Sequence, residues 1–66
     1  MIVKINGCEE KIEDAVTIAS LIKRKDLRPD RIVVEHNRSI VAKESWADVT
    51  LSENDSLEIV CFVGGG

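Results

Sequence analysis

The chain has 66 residues, 44% of them hydrophobic and 32% charged, with a formal net charge of −3 at pH 7. A chain of this size makes one small domain with a thin core, and this composition belongs to a folded protein rather than a disordered one. The acidic balance argues against nucleic acid or an anionic membrane as partner, and no apolar run approaches the roughly 20 residues needed to cross a bilayer. The N-terminus lacks the basic-then-apolar layout of a leader, so a cytoplasmic protein is expected.

The opening stretch "MIVKINGCEEKI" reads as a β-hairpin. Asn6-Gly7 supplies the two positive φ angles of a type I′ turn. A two-residue turn sets Ile5 opposite Cys8, Val3 opposite Glu10 and Met1 opposite Ile12. One face then collects Met1, Val3, Ile5, Cys8 and Ile12. Glu10 shares that face and does not suit it, which points to the rim of the sheet or to a bulge.

"DAVTIASLIKRK" reads as a short helix. Thr17 is its N-cap, able to accept from the backbone N–H of Ala19 or Ser20, and Val16 with Leu21 makes a hydrophobic staple. Ile18, Leu21 and Ile22 follow helical spacing and would cover a sheet. Pro29 stops any continuation by holding Arg28 extended. Residues 23–31 carry five of the nine basic residues against two acids, leaving four bases and ten acids elsewhere. Such a stretch at a helix end is a solvated face that complements the helix dipole, or a docking patch for a partner.

Ile32, Val33 and Val34 begin a β-branched strand that turns at His36-Asn37-Arg38, and "SIVA" is a shorter strand. "KESWADVTLSEND" is mostly irregular, with Trp46 as its one large anchor and Asn54-Asp55 marking the last turn. "SLEIVCFV" closes the domain as a strand. The order β-β-α-β-β-β suggests an α+β fold with one mixed sheet and one helix across it.

Alternation along the last strand is informative. Leu57, Ile59, Cys61 and Val63 share one side, and Glu58, Val60 and Phe62 the other. The first set is apolar and faces the helix. Val60 and Phe62 then point away from the only covering element and are expected to be partly exposed. Either the Trp46 loop covers them, or they form a docking patch beside the glycines that follow.

Little in the chain points to catalysis. His36 is the single histidine and is expected to be a solvated turn residue. The serines lack the setting of an activated nucleophile, the acids are dispersed, and no glycine-rich phosphate cradle precedes a helix. Cys8 and Cys61 lack metal-ligand spacing and are expected to be free, buried as small hydrophobes, with a redox or sulfur-relay role as the alternative. The chain is not expected to be an enzyme or to hold a metal.

What remains is "GGG" at Gly64, Gly65 and Gly66, where only one other glycine occurs, Gly7. These three are either a frayed end or expression remnant, or the working part. Without Cβ atoms they make a thread that reaches roughly 10 Å when extended. Such a thread would carry the α-carboxylate of Gly66 through a narrow channel into another protein's active site. An ionised carboxylate is a poor electrophile; converted to a mixed anhydride with AMP, it is open to attack by sulfur or nitrogen.

With these features the chain resembles the thiamine-pathway sulfur carriers, the ubiquitin-like ThiS family. The likeness rests on the Asn-Gly hairpin and helix of "INGCEEKIEDAVTIASLI" and on "VVEHNRSIVAKESWADVTLSENDSLEIVCFVGGG", with Asn37, Val41, Trp46, Asp55 and the pair Gly65-Gly66 in place. "VAK" stands where the family often has a proline-arginine pair, and "END" replaces an Asp-Gly-Asp turn. The resemblance implies a β-grasp fold over residues 1–63, with four to five strands and a flexible reactive tail at 64–66.

It further implies a carrier cycle with no permanently bound cofactor. A ubiquitin-activating-like adenylyltransferase would use MgATP to adenylate Gly66. A cysteine desulfurase or persulfide relay would supply sulfur, leaving a thiocarboxylate, and thiazole synthase would take that sulfur. Gly64 and Gly65 would form the thread, while Val60, Phe62 and Val63 would bind the partner. Alternatives are a carrier for molybdopterin or cysteine synthesis, a protein modifier, or a passive binding module.

Overall fold

The computed structural model describes residues 1–62. The first two strands, β1 (Ile2–Ile5) and β2 (Cys8–Lys11), pair antiparallel with Ile5 opposite Cys8 and Val3 opposite Glu10. Asn6 at φ +53° and Gly7 at φ +82° make the turn between them, the geometry that an Asn-Gly pair adopts at least cost.

Helix α1 spans Ile18–Arg24. Thr17 Oγ1 accepts from the Ser20 N–H at 3.1 Å, closing one of the open donors of the first turn. Val16 and Leu21, the two halves of the staple, are both buried. The helix ends before Pro29 is reached: the Lys25 N–H caps it on Leu21 O, and Asp26 takes a left-handed φ of +57°. Pro29 instead opens a single 3-10 turn, Pro29–Arg31, with Arg28 extended before it as a proline demands.

Strands β3 (Ile32–His36) and β4 (Ser39–Val41) form the second hairpin. The stretch after it, expected to be irregular, contains a 3-10 helix at Lys43–Asp48. The last strand, β5 (Ser56–Cys61), inserts between β1 and β3 to give the order β2-β1-β5-β3-β4. It runs parallel to β1 and antiparallel to β3, so the sheet is mixed and five-stranded. Lys4 N–H to Asp55 O and Asn6 N–H to Leu57 O, at 2.8 and 2.9 Å, stitch the two ends of the chain together at its centre.

One face of this sheet is covered. Val3, Ile5, Ile32, Val34, Leu57 and Ile59 meet Ile18, Leu21 and Ile22 of α1, and all are buried. Each such side chain contributes about 2 kcal/mol of transfer free energy. Trp46 and Leu51 close the flank, and the Trp46 indole N–H donates to Val41 O at 3.0 Å. Glu10 stays on the helix side, at the rim on edge strand β2. Its two carboxylate oxygens lie 2.9 and 2.8 Å from Lys25 Nζ, which resolves the misfit in the hairpin pattern without a bulge.

Candidate functional site: the open face of the sheet

The other face has no helix over it among the described residues. Period-two alternation puts Val60 and Phe62 of the β5 segment on this side, and they are 57% and 47% exposed. Val33, in register with Val60 across β3, and Ile40 on edge strand β4 are exposed beside them. The Trp46 loop does not cover Val60 or Phe62. Trp46 is itself buried among the residues that pack against the helix, so the expected exposure of Val60 and Phe62 is found and the expected alternative, a Trp46 cover, is not.

Phe62 is held where the strand gives out. Its N–H donates to Arg31 O at 2.9 Å, one step beyond the rung that pairs Ile32 with Cys61. Arg31 closes the 3-10 turn begun by Pro29, and its own N–H donates to Arg28 O at 2.9 Å. A stiff turn therefore fixes the point from which the chain proceeds toward the glycines. Asn6 adds a second tie: its Oδ1 accepts from the Ile59 N–H at 2.7 Å. Val63, Gly64, Gly65 and Gly66 lie outside the described residues.

Glu35 and Glu58 are register partners across β3 and β5, so two carboxylates face each other on the open side with no ion pair to either among the described residues. Like charges in such positions oppose pairing slightly.

His36 is not the solvated turn residue expected from sequence. It is half-buried, and its Nε2 lies 2.8 Å from Asp55 Oδ2. A carboxylate only accepts, so Nε2 carries the proton. Asp55 also accepts from the Ser52 N–H at 2.8 Å and from Asn37 Nδ2 at 3.1 Å. Burial by itself would raise the Asp55 carboxyl, but the bonds from His36, Ser52 and Asn37 outweigh it and hold the group below its ordinary value of 3.8. Asn37 completes the lock, accepting from the Ser56 N–H at 2.9 Å. This cluster fastens the β3–β4 turn to the start of β5; the Asn and Asp at turn positions were its only sequence signal.

The cysteines also differ from expectation. Both are free, as expected, but Cys8 and Cys61 are exposed rather than buried. Cys8 follows a turn on edge strand β2, and Cys61 stands on the last rung of β5. Neither joins the buried cluster that the seven-residue α1 covers.

Among the described residues no group of three or more His, Cys, Asp or Glu side chains is placed to hold a metal. A groove of about 560 Å³ lies on the helix side, beside Trp46, Ile22 and Pro29, and its lining carries no histidine, cysteine or serine. No described helix is long and apolar enough to cross a membrane. The arrangement offers an open surface that ends, among the described residues, at the anchored Phe62.

Residues 2–66 match the ThiS family. The chain belongs to that family. Among its relatives is the sulfur carrier protein ThiS of Bacillus subtilis, 39% identical over 64 residues that span 96% of this chain and 97% of that one. A thiazole synthase of Paramagnetospirillum magneticum is 39% identical over 62 residues, 94% of this chain but 19% of that protein. The chain thus spans about a fifth of the length of that relative. The crystal structure of a thiamine biosynthesis protein (ThiS) from Geobacter metallireducens aligns over the whole of both chains with a TM-score of 0.86 at 22% identity. That likeness establishes the ubiquitin-like β-grasp fold for this ThiS-family chain.

Proposed function

We propose that this ThiS-family chain is a sulfur carrier for thiazole formation in thiamine biosynthesis, a protein cosubstrate rather than an enzyme. The observation that carries the reading is the family match, which runs through residue 66 and so includes all three glycines. The B. subtilis carrier, matched over almost its full length, supports the class of cargo. The relative named thiazole synthase, in which a segment like this chain is part of a longer protein, supports the acceptor.

The chemistry belongs to Gly66. Its carboxylate oxygen attacks the α-phosphorus of MgATP in a ubiquitin-activating-like adenylyltransferase, releasing pyrophosphate and leaving an acyl-adenylate. The terminal sulfur of a persulfide, from a cysteine desulfurase or relay protein, attacks the carbonyl and expels AMP. A second thiol then cleaves the acyl disulfide and frees the thiocarboxylate, whose sulfur goes to thiazole synthase. Gly64 and Gly65 thread the active site, because any Cβ there would meet the channel wall. Val60 and Phe62 bind the partner through the open face, and Val63, the next residue in the chain, is a further contact. The apolar patch supplies contact area, and the bond from Phe62 N–H to Arg31 O fastens the chain just ahead of the glycine segment.

Co-expression with such an adenylyltransferase and a desulfurase tests this. The intact mass should show one oxygen replaced by sulfur. Unchanged mass together with slower-migrating adducts on a denaturing gel would instead mark a protein modifier.

A further inference from the structure

Both two-residue hairpins in this protein make the same kind of turn. In the first, the second turn position is Gly7 at φ +82°; in the second it is Arg38 at φ +74°. Glycine meets that demand freely, whereas a side chain there is strained. Asn6, Asn37, Asn54 and Asp26 also have positive φ, but they are residue types that tolerate it. Ala15 at φ +63° is the other exception, and it has no group to offer beyond a methyl.

Arg38 is held in this conformation by its neighbours. Asn37 is tied to Asp55 Oδ1 and to both the N–H and the C=O of Ser56, and His36 is tied to Asp55. The turn is over-determined, so the strain at Arg38 cannot relax by shifting the hairpin. The arginine is exposed and makes no ion pair among the described residues. Two residues on, Ile40 is 70% exposed on the edge strand. A cation on a rigid mount next to an uncovered apolar side chain gives the face a second point of attachment.

We propose that Arg38 is a docking residue that pairs with an acidic side chain of the adenylyltransferase that receives the open sheet face. This rests on the reading of that face as the partner surface. His36 pairs with Leu57 and Ile32 with Cys61, so the Arg38 turn sits at the end of the sheet opposite the exit point. The separation is about 20 Å, within one standard interface. A single protein carboxylate fits better than a phosphate polymer: the chain is acidic overall, which opposes a long run of phosphates, whereas one carboxylate need meet only the Arg38 guanidinium. The planar fork of arginine, which binds a carboxylate through two parallel bonds, gives orientation as well as attraction.

The test compares Arg38→Gly, Arg38→Lys and Phe62→Asp in binding to the adenylyltransferase that activates the chain, across a range of salt. Arg38→Gly should melt no lower than the parent protein, because it relieves the turn, yet bind about three- to tenfold more weakly with a shallower salt dependence. Arg38→Lys should keep the salt slope but recover only part of the affinity. If Phe62→Asp abolishes capture while Arg38→Gly leaves affinity and salt slope untouched, the docking role of Arg38 is overturned and the face reading stands. If neither substitution changes binding, both are overturned.

Discussion

The amide oxygen of Asn6 accepts a hydrogen bond from the backbone N–H of Ile59 at 2.7 Å, joining positions 53 residues apart. Asn6 therefore has two tasks: it supplies the left-handed first position of the β1–β2 turn, and it pins the strand that leads toward the glycines. Asn6→Ala removes both and leaves a partly buried N–H unsatisfied, which should lower stability by about 2 kcal/mol in urea unfolding. Asn6→Asp keeps the acceptor and should cost less than half as much.

Asp55 makes the fold sensitive to acid. Its carboxyl titrates lower in the folded than in the unfolded chain, so its contribution is complete above about pH 5 and is lost as pH falls through 3.8 toward the folded value. Urea midpoints measured from about pH 6 down to about pH 2 should fall in that window. Asp55→Asn should start from lower stability at neutral pH and show a shallower acid decline.

Trp46 closes the core from a 3-10 helix and spends its one polar atom on Val41 O. Trp46→Ala should cost about 3–5 kcal/mol, enough to unfold much of so small a domain at 37 °C. Trp46→Phe, which keeps the ring but not the donor, should cost about 1–2 kcal/mol. Circular dichroism melts would order the three proteins.

Phe62→Asp separates the open face from the core. With Phe62 half-exposed and outside the helix-side cluster, the substitution should change stability by less than about 1 kcal/mol while weakening capture by the adenylyltransferase. A cooperative loss of structure in the variant would mean that Phe62 packs against the fold.

Much of this was legible in the sequence because it depends on local rules. Asn-Gly set the first register, Thr17 set the helix start, and the period of two along residues 57–62 separated the buried from the exposed side of β5. Each reads from a few adjacent residues. The His36–Asp55–Asn37 cluster does not, since its members are 18 and 19 residues apart and meet only because β5 inserts beside β3. The cysteines show the reverse case. Alternation put Cys8 and Cys61 on the helix side, but burial also needs something overhead, and how far a short helix reaches is a property of the assembled sheet. The end of α1, at Lys25 where the helical stretch closes, is local as well: Asp26 turns left-handed and Leu27 N–H bonds back to Ile22 O at 3.3 Å, before Pro29 has any effect.

The account stands on sulfur being loaded at the carboxylate of Gly66 and nowhere else. The direct measurement is fragment mass analysis of the chain after incubation with MgATP, the adenylyltransferase and a persulfide donor, beside a variant with one leucine added after Gly66. The account predicts sulfur in place of oxygen within the fragment that ends at Gly66, and an unmodified leucine variant. Sulfur found on Cys8 or Cys61, or at the end of the untrimmed leucine variant, would contradict it.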